Sequence, residues 1–266
     1  MIQKKTINLS LDNSTPFIHP VLNVSEIARK GVAIAVLIIS LWGISLGFLL
    51  STVTVQKTFL GWTVVAILWQ TFLYTGLFIT AHDAIHGSIF PKHPQINYFF
   101  GSLTLLLYGF FSYDWLRKNH CQHHYSPASD SDPDFHDGTD QGKNAVAWYI
   151  CFMQRYWSWW RFVGLIVASV STHIFLKIDY VNLILFWGVP TLLSSVQLFY
   201  FGTFLPHREP RDGYQDSFRT QSIYRPFLWS FLTCYHFGYH KEHHMYPDIP
   251  WWKLPAIVKI LSEQQY

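Results

Sequence analysis

Charge is scarce in this sequence. Asp, Glu, Lys and Arg together make up 13% of its 266 residues, against roughly 25% in soluble globular chains. So few charges beside 50% hydrophobic residues leave too little polar surface to coat a water-soluble fold, and the expectation is an integral membrane protein. The formal charge is only +3 and no basic run occurs, which argues against nucleic acid as a partner. Cysteine is also rare. Cys121, Cys151 and Cys234 form no CxxC pair, which excludes a zinc ribbon and a secreted disulfide scaffold and leaves them as small apolar filler. Residues 1–30 are polar and end in Arg29-Lys30, unlike a cleavable signal peptide.

What the chain has is long apolar runs, 12 Trp and 14 His. Residues 1–30 read as a flexible arm, and residues 31–266 as one membrane domain. Runs over 31–55 and 59–81 are each long enough to span about 30 Å of hydrocarbon. Runs over 161–176 and 182–205 form a second pair, with a kink expected at Pro190. The segment 97–112 is apolar but short, and it begins after Pro91 and Pro94. A full crossing there would put histidines before and after it on opposite faces of the bilayer, so an interfacial or re-entrant helix is expected. Residues 125–144 read as a polar loop, and 148–161, rich in Trp, as chain near the headgroups. The predicted architecture is all-α: four transmembrane helices in two hairpins, one re-entrant helix, and a histidine-rich di-metal cap. Most Lys and Arg outside the spans fall on the cap side, which the positive-inside rule makes cytoplasmic.

The histidines are clustered. His82-Asp-Ala-Ile-His86, His120-Cys-Gln-His123-His124 and His240-Lys-Glu-His243-His244 each put imidazoles three and four residues apart, on one face of a helix. Eight imidazoles are enough for two metal ions and too many for one. His207 lies where the last span leaves the bilayer, and His236 one turn before His240, so both join the candidate ligands. Asp83, Glu242, Asp132 and His136 are candidates to orient ligand rings from behind. His19 and His93 read as structural, and His173, mid-span with no histidine neighbour at helical spacing, fits a cavity wall and does not join the ligand set. Imidazole suits Fe, Zn, Cu and Ni. The paired Glu-x-x-His helices of carboxylate di-iron bundles are missing. A non-haem centre of two Fe ions held by histidine fits best, with O2 activation as its business. No flavin, haem or iron–sulfur motif is present, so electrons come from a partner.

These boxes resemble those of the membrane fatty-acid desaturase/hydroxylase superfamily. The runs Asp130-Ser-Asp-Pro-Asp-Phe-His136, Phe201-Gly-Thr-Phe-Leu-Pro-His207 and Pro250-Trp-Trp-Lys-Leu-Pro255 resemble, more narrowly, the β-carotene ketolases. The resemblance implies oxidation of the C4 methylene of a β-ionone ring, with O2 and reducing equivalents. Two hydroxylations at one carbon would give a geminal diol that loses water to a ketone, taking β-carotene to echinenone and then canthaxanthin. It implies the eight box histidines as ligands, His207 as a further one, and ferredoxin as electron donor. A fatty-acyl desaturase or hydroxylase, or a carotenoid ring hydroxylase, would use the same boxes. A non-catalytic metal transporter or sensor would need acids lining a path through the spans, and none is visible.

Overall fold

The computed structural model describes residues 23–53, 59–136, 138–139 and 143–263. Its regular elements are helices: α1 (Val24–Thr52), α2 (Leu60–Ile85), α3 (Pro94–Gly109), α4 (Tyr113–Tyr125), α5 (Ala145–Arg155), α6 (Trp159–Leu176), α7 (Tyr180–His207), α8 (Phe227–Cys234), α9 (His240–Met245) and α10 (Leu254–Glu263). Among the described residues, α1, α2, α6 and α7 are long and apolar enough to cross a membrane. Asn23 caps α1, accepting from the N–H groups of Ser25 and Glu26. The helix therefore starts before Arg29-Lys30, and the boundary expected at residue 30 falls inside it. The rest of the expected arm, His19 included, lies outside the described residues.

α2 is the central element. Its second half is buried almost without interruption, from Gln70 to Ile85, and it packs against α1, α3 and α7. Some of the polar side chains buried there are paired: Thr75 Oγ1 lies 2.9 Å from Ser194 Oγ, and Gln70 Nε2 donates to Ser45 Oγ at 2.8 Å. Near the start of α1, a Cβ on Gly31 would lie 2.2 Å from the Ile89 carbonyl oxygen, so the chain just past α2 rests directly on the α1 backbone. At the other end of α1, Asn182 Nδ2 donates to the carbonyls of Leu49, Leu50 and Val53. It thereby satisfies C-terminal carbonyls that no helical partner can reach.

α3 is 16 residues long and doubles back along α2. A Cβ on Gly101 would sit 3.0 Å from the Ala84 Cβ, while Tyr108, near the end of α3, meets Tyr74 and Phe78. Phe110 then adopts a left-handed conformation, φ 57, and the chain reverses into α4. Tyr113, at the start of α4, returns to donate its hydroxyl to the Ala84 carbonyl at 2.9 Å. This loop down and back carries the second histidine box to the first.

The break expected at Pro190 takes the form of a π-helical turn, Ile184–Gly188, just upstream. A second π turn, Phe199–Phe204, precedes Pro206 in the same way. The Trp-rich segment divides. Trp157, Trp159 and Trp160 are exposed, but Trp148 is fully buried and donates Nε1 to the Asp134 carbonyl at 2.8 Å. It supports the acidic loop rather than the headgroup layer expected for it.

Candidate metal centre

Nine imidazoles converge in two groups. His82, His86, His120, His124 and His243 form one, and His123, His207, His240 and His244 the other; the donor atoms within each lie within 4.8 Å of one another. Helix geometry explains the division. At about 100° per residue, positions i and i+4 diverge by only about 40°, while i+3 points to the other side of i. In the second box, His120 and His124 accordingly serve the five-histidine group and His123 the other. In the third box, His240 and His244 serve the four-histidine group and His243 crosses back. The two boxes interlock, and the rings of His124 and His244 stack at 4.1 Å between the groups.

The Nε2 atoms are packed too closely for hydrogen bonding alone. His243 Nε2 lies 3.1 Å from both His82 Nε2 and His124 Nε2. His240 Nε2 lies 3.0 Å from His207 Nε2 and 3.1 Å from His244 Nε2. An imidazole nitrogen carries one proton or one lone pair, so neither ring can satisfy two such neighbours. A cation accepting all the lone pairs can. Burial, followed by repulsion from neighbouring imidazoles, holds His120, His124, His240, His243 and His244 well below the usual imidazole pKa. They are neutral, the form that binds metal.

Several rings are oriented from behind. His123 Nδ1 lies 3.0 Å from both carboxylate oxygens of Asp132, which also accept from the N–H groups of Ala128 and Asp134. Burial pushes His123 down, but the Asp132 carboxylate outweighs it and leaves the imidazole pKa raised. Burial likewise favours neutral Asp132, yet His123 and the Asp134 N–H hold it below the usual carboxylate range. Asp134 is raised, chiefly by burial. His207 Nδ1 donates to the Arg219 carbonyl at 3.1 Å. Asp83 lies 3.4 Å from His82 Nδ1 and accepts the Trp251 N–H at 3.1 Å, joining the C-terminal Trp-Trp segment to the first box.

Three expected residues stand elsewhere. His236 belongs to neither group; its Nδ1 meets Ser230 Oγ at 3.0 Å and its ring packs among Phe227, Phe231 and Trp251. The helical spacing to His240 fails because Tyr235 and His236 both have positive φ and α9 begins only at His240. Glu242 turns away from the rings to accept from the hydroxyls of Ser222 and Tyr224, tying α9 to the preceding loop. His136 accepts the Gly138 N–H and packs on Trp148. The Arg219 carbonyl and the Trp251 N–H were invisible to sequence reading because backbone groups have no sequence signature.

The fatty acid desaturase family matches residues 58–159 and 147–266, which include all nine converging histidines. The chain belongs to the fatty acid desaturase family. Within it, the chain falls with the β-carotene ketolases. It is 43% identical over 190 residues to the β-carotene ketolase of Paracoccus sp. (strain PC1), covering 71% of this chain and 76% of that protein. A β-carotene ketolase of Haematococcus lacustris is 43% identical over 69% of this chain and 58% of its own length. The zeaxanthin 4-ketolase of Chlamydomonas reinhardtii is 38% identical over 86% of this chain and 53% of its own length.

A cavity of about 840 Å³ opens against this desaturase-type centre. His82, His120, His123 and His240 line one end, and its walls are mostly apolar residues of α6 and α7, with α2, α4 and α5 contributing. Phe237 stands between the two, its ring 4.7 Å from that of His82 and 5.2 Å from that of His240. Gly202 makes room for it: a Cβ there would lie 3.0 Å from the Phe237 ring.

Proposed function

We propose that the protein is a carotenoid 4-ketolase that converts the ring methylene of a β-ionone end group to a ketone. The observation that carries this is the apolar cavity ending on imidazoles of both histidine groups, in a chain similar to β-carotene ketolases over two thirds of its length. Two metal ions would be held by His82, His86, His120, His124 and His243 and by His123, His207, His240 and His244, and the reaction class makes them iron. When bound, they would supply the O2 activation that attack on an unactivated C–H bond demands.

The chain's own residues do the rest. The cavity takes an apolar ring out of the bilayer and excludes water from it. Phe78, Phe111 and Phe237 offer flat faces to a conjugated chain. Asp132 and the Arg219 carbonyl fix the rings of His123 and His207, so the ligands need not reorganise. α1 with α2 and α6 with α7 serve as two membrane hairpins, with α3 and α4 as a re-entrant pair. In that arrangement the histidines share one membrane face, and the placement of Lys and Arg favours the cytoplasmic one. O2 and electrons come from outside the chain, the electrons from a soluble carrier such as ferredoxin.

Expression in a bacterium that makes β-carotene tests the reading. Chromatography of the pigments should show echinenone and canthaxanthin. Cells that keep β-carotene alone, with the protein present in the membrane, would overturn it.

A further inference from the structure

α6 does not pack as the other long helices do. None of its residues is buried, yet Phe162, Leu165, Ile166, Ser169 and Val170 line the cavity. Their spacing of three and four marks one face of the helix. That face looks across empty space at a matching stripe on α7, which includes Leu183, Trp187, Thr191, Leu198 and Thr203. α6 is held at its ends instead. Arg161 donates Nε to the Gly109 carbonyl at 2.9 Å, with its guanidinium 3.1 Å over the Phe111 ring. His173 donates Nδ1 to the Ile178 carbonyl at 2.8 Å and stacks on Tyr180 at 3.8 Å.

The cavity is therefore a long slot with α6 and α7 as its main walls. From Leu183 to Thr203, at about 1.5 Å per residue, it runs for about 30 Å, the hydrocarbon thickness of a bilayer. Only the Thr203 end meets the histidines; the other reaches Tyr180 and Leu183. Small residues, Gly188, Thr191 and Ser195 on α7 and Ser169 on α6, keep its middle open.

We infer that the slot binds a single linear polyene end-on, one ring at the histidines and the other near Leu183, so that each binding event oxidises one ring. A conjugated chain is stiff and cannot fold back to present its second ring. The monoketone must leave, reverse and re-enter before it becomes the diketone. This inference rests on the ketolase reading and adds the binding mode and the order of release.

Two measurements test it on the full-length protein in membranes with its electron supply. In the first, excess isotopically labelled β-carotene is added when half the initial substrate is consumed. Release between rings predicts that unlabelled β-carotene converted after the chase accumulates as the monoketone, because the free monoketone must compete with the chase to re-enter, so the diketone-to-monoketone ratio of newly formed unlabelled product falls sharply. An unlabelled product ratio that the chase leaves unchanged would overturn the inference. In the second, Gly188→Phe is assayed on β-carotene and on a half-length polyene carrying one β-ionone ring. The nearest atom to a Cβ there is 3.9 Å away, so the backbone tolerates it while the ring fills the slot. The ratio of half-length to full-length turnover should rise by at least about ten-fold, and stay constant in Leu193→Phe, outside the cavity lining. An unchanged ratio in Gly188→Phe counts against end-on binding. Wild-type protein that forms no ketone from either substrate would instead sink the ketolase reading itself.

Discussion

An imidazole makes a good ligand only when its second nitrogen is held, and this separates two histidines that look alike in the sequence. His123 has its Nε2 among three other imidazoles and its Nδ1 on Asp132. His236 has its Nδ1 on a serine hydroxyl and no place in either group. Under the proposed di-iron reading, His123→Ala should therefore lower bound iron from two per chain toward one and abolish ketone formation. Asp132→Ala keeps every ligand but releases the His123 ring, and should weaken retention of one iron by about 10–100-fold, read as faster loss to a chelator. His236→Ala should hold wild-type iron, and iron loss there matching that in His123→Ala would show the grouping to be wrong. The sequence made the eight box histidines and His207 legible because metal ligation needs repeated spacing. It misplaced His236 and Glu242 because their directions depend on a turn at residues 235–239 and on a loop at 222–224, neither of which has a period to read.

At the scale of elements, what matters is how helices that carry no ligand place those that do. The second box rides on α4, and α4 is pinned where it begins: Tyr113 packs over Gly101 on α3 and donates to the Ala84 carbonyl on α2. A Cβ on Gly101 would come within 2.2 Å of the Tyr113 ring. Gly101→Val must push that ring away, and with it the helix that brings His120, His123 and His124. We expect an overpacking cost of about 1–3 kcal/mol, a lower thermal midpoint, and loss of iron from both groups although no ligand has changed. Gly43→Val, where an added Cβ meets nothing within 4 Å, should leave both readouts alone, and adding Tyr113→Ala to Gly101→Val should restore part of the iron. The return of the chain through α3 and α4 was readable from length and two prolines, since 16 apolar residues are short for a span. The early start of α1 was not, because the polar Asn23–Lys30 stretch hides an N-cap that only geometry reveals. Trp148 likewise carries the composition of a headgroup residue and the contacts of a core one.

For the whole molecule, sidedness decides which partner can reach the centre. The turn between α6 and α7 contains Lys177, at the far end of the slot from the histidines. The loop after α7 contains Arg211, just past His207. If α7 crosses the bilayer, these two positions lie on opposite faces; if the basic residues set orientation, Arg211 is cytoplasmic. Single cysteines at Lys177→Cys and Arg211→Cys, in a chain with Cys121, Cys151 and Cys234 replaced by serine, report this directly. In intact spheroplasts a membrane-impermeant maleimide should label the first and not the second, and lysis should make the second reactive. Labelling of both in intact cells would mean that α7 does not cross. Labelling of Arg211→Cys alone would invert the protein, put the nine histidines on the outer face, and rule out a cytosolic electron carrier as their donor.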